Sequence, residues 1–195
     1  MVAMPSSDPS NIGTIIKIVQ GLKPKSILDV GIGNGKYGLL FREYLDGHEQ
    51  GCAVHDKDSW KIWIQGLEVF EKYISPVQQY IYNDIRICDA YTFLMEAESP
   101  SPFDLVFMGD FIEHLEKDEG HKLLVHIGQS WLKDNGIILL STPNFITSYN
   151  HPKCAVFGNQ YEIHRCRWFP KDFNIPGFDT SVVEGKLLTV TMTKK

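Results

Sequence analysis

The sequence predicts an α/β fold: a doubly wound, mostly parallel sheet of seven strands, helices on both faces, and an antiparallel hairpin at the C-terminus. Three features predict it. Short apolar runs alternate with amphipathic helical stretches, the pattern of parallel β-α-β units. The first run ends in an acid and a glycine-spaced turn, "LDVGIGNGKYG", where Gly31, Gly33 and Gly35 turn the backbone sharply and let something come close to it. The last two runs, "DTSVVEG" and "KLLTVTMTKK", alternate apolar and polar residues and meet at Gly185 and Lys186 with no helix between them. Such a pair is a hairpin at the sheet's edge.

The elements follow in order. In "SNIGTIIKIVQGL", Ile12, Ile15, Ile16 and Val19 keep a helical period behind a cap at Ser10 or Asn11. "KSILDVG" is a short buried strand, and "KYGLLFREYLDG" a helix closed by Gly47. "IWIQGLE", "DIRICDA", "FDLVFMGD" and "GIILLST" are the next strands, and "AYTFLMEAE" and "EGHKLLVHIGQSWL" are helices between the last three. From Asn144 to about Phe178 the pattern lapses into a stretch rich in aromatics and His. Irregular connections of that length are usually lids or binding loops. Residues 1–195 thus read as one domain, with an N-terminal helix within 1–22 and a lid or acceptor-binding loop at 144–178.

Hydrophobic residues make 43% of the chain and charged ones 22%, a globular balance rather than a disordered one. A net charge of −5 gives no global positive field, which disfavours a nucleic-acid partner. Cys52, Cys88, Cys154 and Cys166 form no C-x-x-C pair, which argues against zinc of the usual spacing and for buried thiols in a reducing cytoplasm. "MVAMPSSDPSN" lacks the features of a signal peptide, and no apolar run is long enough to span a membrane. A cytoplasmic location is expected.

The glycine loop admits three ligands. A P-loop needs G-x-x-x-x-G-K-[ST], but Gly31 and Gly35 are one residue too close, and Tyr37 follows Lys36 where the hydroxyl should be. A dinucleotide fingerprint, G-x-G-x-x-G, places its third glycine on Lys36. The third ligand, S-adenosylmethionine, needs close backbone approach to its amino-acid tail and an acid at the strand end, which Asp29 and the three glycines offer. Here the sequence resembles the class I S-adenosylmethionine-dependent methyltransferases, whose first motif is hydrophobic-hydrophobic-[DE]-x-G-x-G-x-G. The resemblance runs from Ser26 to Leu140 and on into the terminal hairpin, and implies a Rossmann-like cytoplasmic transferase.

The resemblance implies further cofactor contacts. An acid ending the second strand would take both ribose hydroxyls, since a carboxylate accepts two hydrogen bonds side by side. Glu68 ends "IWIQGLE" but lies unusually far along, so "EQGCAVHDKDSW" would be an insertion; the rival, Asp56, ends "CAVHD". Ile62, Ile64 and Leu67 give Glu68 the better strand. Asp89 and Ala90 fall where the family binds adenine, and Asp89 also suits a helix cap before "AYTFL".

The fourth strand ends in "MGDFIEHLEKDEG", with Asp110, Glu113 and His114 at i, i+3 and i+4, on one face if the stretch is helical. Two carboxylates and an imidazole can bind a divalent cation, orient one another for proton transfer, or serve local structure. Asp110 also borders the cofactor in this reading. The segment is similar to the E-x-x-E-H of ubiquinone-pathway O-methyltransferases and small-RNA 2′-O-methyltransferases, with Asp for the first Glu and Leu115 where the RNA enzymes carry a second His. If a cation is bound, Asp110, Glu113 and His114 are its ligands. In "YEIHRCRWFPKDF", His164 and Trp168 would share a face of a short helix, offering His164 to the acceptor site, or Trp168 and Phe169 would simply anchor the loop. Tyr73, Trp60 and Trp63 would line a cleft or join the core.

The resulting expectation is methyl transfer from S-adenosylmethionine to a small-molecule or biosynthetic-intermediate acceptor, on oxygen, nitrogen or carbon, with Asp110, Glu113, His114 and His164 in catalysis. A homodimer is compatible with it. The alternatives are a non-catalytic S-adenosylmethionine-binding partner protein and an NAD-dependent oxidoreductase; the latter is disfavoured by Lys36 and the hairpin.

Overall fold

The computed structural model describes residues 7–96, 99, 101–144 and 159–195. Cys154 and residues 145–158 of the long connection lie outside them. Seven strands form one sheet: β1 (Ser26–Val30), β2 (Trp63–Glu68), β3 (Asp84–Ile87), β4 (Phe103–Gly109), β5 (Leu132–Pro143), β6 (Phe178–Glu184) and β7 (Leu187–Lys194). Their order is β3-β2-β1-β4-β5-β7-β6, parallel from β3 to β5, with β7 antiparallel to both β5 and β6. The hairpin expectation holds, and β6 is the edge.

Ile27, Leu28 and Val30 have no exposed surface, because β1 is central and covered on both faces. Alternation divides the core. Ile27, Ile64, Leu105, Phe107 and Leu139 pack beneath α1 (Ile12–Leu22) and α2 (Lys36–Phe41). Leu28, Val30, Val106, Met108 and Leu140 pack beneath α4 (Ala90–Glu96) and α5 (Lys117–Ser130). Between them α3 (Pro76–Ile81) is a short helix started by Ser75, which shares a capping box with Gln78, and by Pro76 in its first turn. Its short apolar pattern gives no sequence period. No helix among the described residues is long and apolar enough to cross a membrane.

Gly47 does not close the second helix. The chain continues past Phe41 as π-type turns over Arg42–Glu49. A β-carbon on Gly47 would lie 2.8 Å from Val54, so this glycine serves close approach of the following insertion. Arg42 holds that insertion in place. Fully buried, it pairs with Asp46 at 2.6 Å and donates to the carbonyls of Ile62 (2.6 Å) and Ile81 (2.9 Å) and to Asn83 Oδ1 (2.6 Å). Asp46 Oδ1 accepts from the backbone N–H groups of Lys61 (2.7 Å) and Ile62 (3.1 Å), and Trp60 stacks on the guanidinium. Cys52, Cys88 and Cys166 are free thiols, half-buried rather than buried.

Replacing Arg42 by Met strands the Asp46 carboxylate and two carbonyls in the interior. The expected loss is about 3–5 kcal/mol, read as a lowered urea midpoint.

Candidate active site

The glycine loop joins β1 to α2 and is pinned to β2. Gly31 and Ile32 donate to Leu67 O (2.9 and 3.1 Å). Gly33 has φ +49, and a β-carbon there would meet no protein atom within 4 Å, so its outer side faces open space. Gly31, at φ +75, has Phe111 3.1 Å from where a β-carbon would stand. Gly35 also has a positive φ. Gly33 N–H donates to Glu68 Oε2 at 2.9 Å, and Phe70 N–H to Oε1 at 2.9 Å. Glu68 therefore stands at the end of β2, its carboxylate against the loop.

Four carboxylates converge on this end of the sheet. Asp29, 3% exposed, accepts the Tyr82 hydroxyl at 2.6 Å. Burial, joined by the nearby Glu68 charge, pushes its pKa up to about 7 against the pull of that hydrogen bond. Burial also raises Glu68 and Asp110. Asp110 follows β4 at φ +53 and accepts from Ser141 Oγ at 3.0 Å. Glu113, with no exposed surface, accepts from Thr142 Oγ1 at 2.9 Å, while its Oε1 has no hydrogen-bond partner among the described residues. Burial, with the Asp110 charge beside it, holds the Glu113 pKa well above the carboxylate range.

The 110–114 stretch is not a continuous helix. A single 3-10 turn covers Ile112–His114, and Asp110 stands outside it in a left-handed conformation. Asp110 consequently turns toward β5, and the ligand atoms that lie together, within 4.8 Å of one another, belong to Glu113, His114 and His164. The two imidazoles meet edge to face at 4.9 Å. His114 Nδ1 contacts Ile163 O at 3.2 Å, and burial lowers its pKa, favouring the neutral ring.

His164 arrives without the expected helix, since residues 163–169 are irregular. Arg165 N–H donates to Glu113 O at 2.8 Å, and the fully buried Trp168 donates to Ile112 O at 3.1 Å. The segment is thus both anchored and brought to the site: Trp168 secures the backbone and His164 lies beside His114.

Two cavities open at the carboxyl ends of the strands, where ligands of open α/β sheets bind. One, of about 440 Å3, is bounded by Glu68, Asp89, Ala90 and Phe111. The other, of about 490 Å3, is bounded by Asp29, Tyr37, Tyr73, Glu113 and His164. They share Gly31, Gly33, Asp110, His114 and Glu162. Asp89 caps α4, accepting from Thr92 N–H at 2.8 Å, and borders the first cavity as well. Asp56 borders neither, and instead caps a 3-10 turn at Lys57–Ser59. Of the three cleft aromatics only Tyr73 lines either of these two cavities; Trp60 packs on Arg42, and Trp63 is half exposed at the start of β2.

Two supporting residues carried no motif. Tyr82 holds Asp29, and Gln78, 1% exposed, donates to Gly33 O and Tyr73 O, each at 2.8 Å. Gln78 had a local signal, the Ser75-Pro76-Val77-Gln78 capping pattern, but that predicts a helix start and not a contact with the loop.

The Asp29 environment sets a pH dependence. Its folded pKa lies above the ordinary value of 3.8, at about 7, so between those pH values the unfolded chain has lost the proton that the folded chain keeps. Stability from this group is fully present below 3.8 and declines up to about 7. Asp29→Asn is expected to flatten that decline, and Tyr82→Phe, by removing the opposing hydrogen bond, to extend it to higher pH. Urea midpoints measured across this range check both.

No family model matches the chain. Over 122 residues it is 32% identical to a malonyl-[acyl-carrier protein] O-methyltransferase from Halalkalibacterium halodurans, covering 62% of this chain and 40% of that protein. The match therefore spans less than half of the relative's length. A candidate caffeoyl-CoA O-methyltransferase from Staphylococcus aureus superposes with a TM-score of 0.63 at 14% identity, over 97% of this chain and 86% of that one. The methyltransferase domain of bacterial CtHen1 superposes with a TM-score of 0.61 at 15% identity, over 96% of this chain and 100% of that one. Sheet order, glycine loop and these likenesses together give the chain the class I S-adenosylmethionine-dependent methyltransferase fold.

Proposed function

We propose that the chain is a methyltransferase that uses S-adenosylmethionine to methylate an oxygen of a small-molecule or biosynthetic-intermediate acceptor. The observation that carries this is the pair of joined cavities with buried acids at the ends of β1 and β2 and the open side of Gly33 between them. The donor set fits the cofactor. Glu68 retains lone pairs for two ribose hydroxyls, Asp89 and Ala90 edge an adenine-sized space, and Asp29 with Gly31, Gly33 and Gly35 suits the ammonium group of the amino-acid tail. Bound S-adenosylmethionine supplies an electrophilic methyl group on a sulfonium.

The chain's own residues align the acceptor and remove its proton. A neutral His114 with its ring against His164 provides a base near the shared part of the cavities, and burial keeps it unprotonated at neutral pH. The backbone carbonyls of Ile163 and Asp110 beside its ring favour the imidazolium that forms. Phe111 and His164 wall the two cavities on either side of His114. Similarity to two O-methyltransferases favours oxygen as the acceptor atom.

The cluster of Glu113, His114 and His164 supports a second reading, a divalent cation beside the acceptor. Its donors are one carboxylate and two imidazoles, and the unpartnered Glu113 Oε1 is a ready ligand. Asp110, engaged by Ser141, is not within this cluster.

Calorimetry with S-adenosylhomocysteine tests the cofactor assignment. Micromolar binding is expected, weakened about tenfold or more by Glu68→Ala and unchanged by Asp56→Ala. Binding of NAD instead, or of neither, overturns it. Manganese titrated into the S-adenosylhomocysteine complex tests the cation: heat that disappears in His164→Ala supports it, and no heat in the wild type excludes it.

A further inference from the structure

We propose that the acceptor bears a carboxylate or phosphate group, and that Asp8 holds the place of that anion at the mouth of the larger cavity, between Lys36 and Lys186. The inference rests on the methyltransferase reading for the word acceptor, and otherwise on the geometry of the mouth.

The floor of that cavity is acidic: Asp29, Asp110, Glu113 and Glu162. Its rim is not. Lys36, in the first turn of α2, and Lys186, in the turn between β6 and β7, are the lysine and arginine side chains that line it among the described residues. Ser7 and Asp8 lie across the gap between them. Lys36 Nζ donates to Ser7 O at 2.8 Å, and Lys186 Nζ forms an ion pair with Asp8 Oδ2. Asp8 Oδ1 accepts from Ser10 N–H at 3.0 Å, which fixes the carboxylate's orientation. The Ser7 side chain reaches Asp110, and Lys36 lies in the attractive field of both Asp8 and Asp110.

Ser7 and Asp8 therefore tie Lys36, Lys186 and Asp110 together, and the Asp8 carboxylate pairs with the Lys186 ammonium and lies in the field of Lys36. A carboxylate or phosphate on an incoming molecule can exchange for Asp8 with the charge balance of the mouth unchanged. A neutral acceptor would have to enter past an intact ion pair and would gain nothing from either lysine. The acidic floor disfavours an anion any deeper, so the charged group stays at the rim and the remainder of the acceptor extends inward toward His114 and His164. Asp8 then acts as an internal competitor, reducing apparent affinity by the fraction of molecules in which it occupies the mouth.

The test is calorimetric titration of the full chain with succinate and, separately, inorganic phosphate, with and without saturating S-adenosylhomocysteine. Asp8→Asn is expected to tighten binding of at least one probe by about fivefold or more. Lys186→Met and Lys36→Met are expected to weaken it by a similar factor. The probe that binds more tightly identifies the anion. Absence of binding in the wild type and in Asp8→Asn overturns the proposal, as does binding that ignores Asp8 and both lysines. S-adenosylhomocysteine is titrated into every variant. Its failure to bind overturns the methyltransferase reading, while the anion titrations without it still decide whether the mouth is an anion site.

Discussion

The crowding of buried carboxylates at one end of the sheet is the constraint on which the rest of the site depends. Asp29, Glu68 and Glu113 are each less than a tenth exposed, and burial raises the pKa of all three. Like charges out of water repel, and each must find a donor, a proton or a cation. The local structure supplies donors one at a time: Tyr82 for Asp29, the Gly33 and Phe70 amides for Glu68, Ser141 for Asp110, Thr142 for Glu113. A molecule with a sulfonium and an ammonium group supplies what those dipoles do not, positive charge. In the proposed reading, the same acids favour such a cofactor.

This economy explains why the supporting residues lie where they do. Tyr82 ends α3 and reaches back to β1; Gln78, one turn earlier, clamps the glycine loop from the same helix. Arg42 ties the end of that helix and the residues just after it to α2's continuation through Ile81 and Asn83. The 49–60 insertion that displaces Glu68 along the sequence is thus fastened just past its far end by Asp46. β2 can then begin in register with β1, Ser26 opposite Trp63.

Much of this was legible in the sequence where the signal is local. The apolar runs marked the central strands β1, β4 and β5, because a buried parallel strand needs continuous hydrophobic residues whatever its neighbours. Glu68 followed from the quality of its strand despite the odd spacing, and the hairpin from alternation around Gly185. Long-range signals were not legible. Nothing near Tyr82, Gln78 or Arg42 announces a partner that lies dozens of residues away. The helical face drawn through Asp110, Glu113 and His114 failed because spacing was read as α-helical where the backbone makes one 3-10 turn after a left-handed residue. That change removes Asp110 from the cluster and admits His164. The supposed helix through His164 and Trp168 failed likewise, since both residues owe their positions to contacts with the Ile112–His114 turn and not to each other.

The central claim is that the buried acids of the crevice ionise when the ammonium group of the cofactor product binds beside them. It is tested most directly by counting protons. S-adenosylhomocysteine binding is measured by calorimetry near pH 6, in buffers of differing ionisation enthalpy, for the wild type and for Asp29→Asn. The account predicts net proton release by the wild type, reduced in the variant. Binding with no release, or with proton uptake, would contradict it.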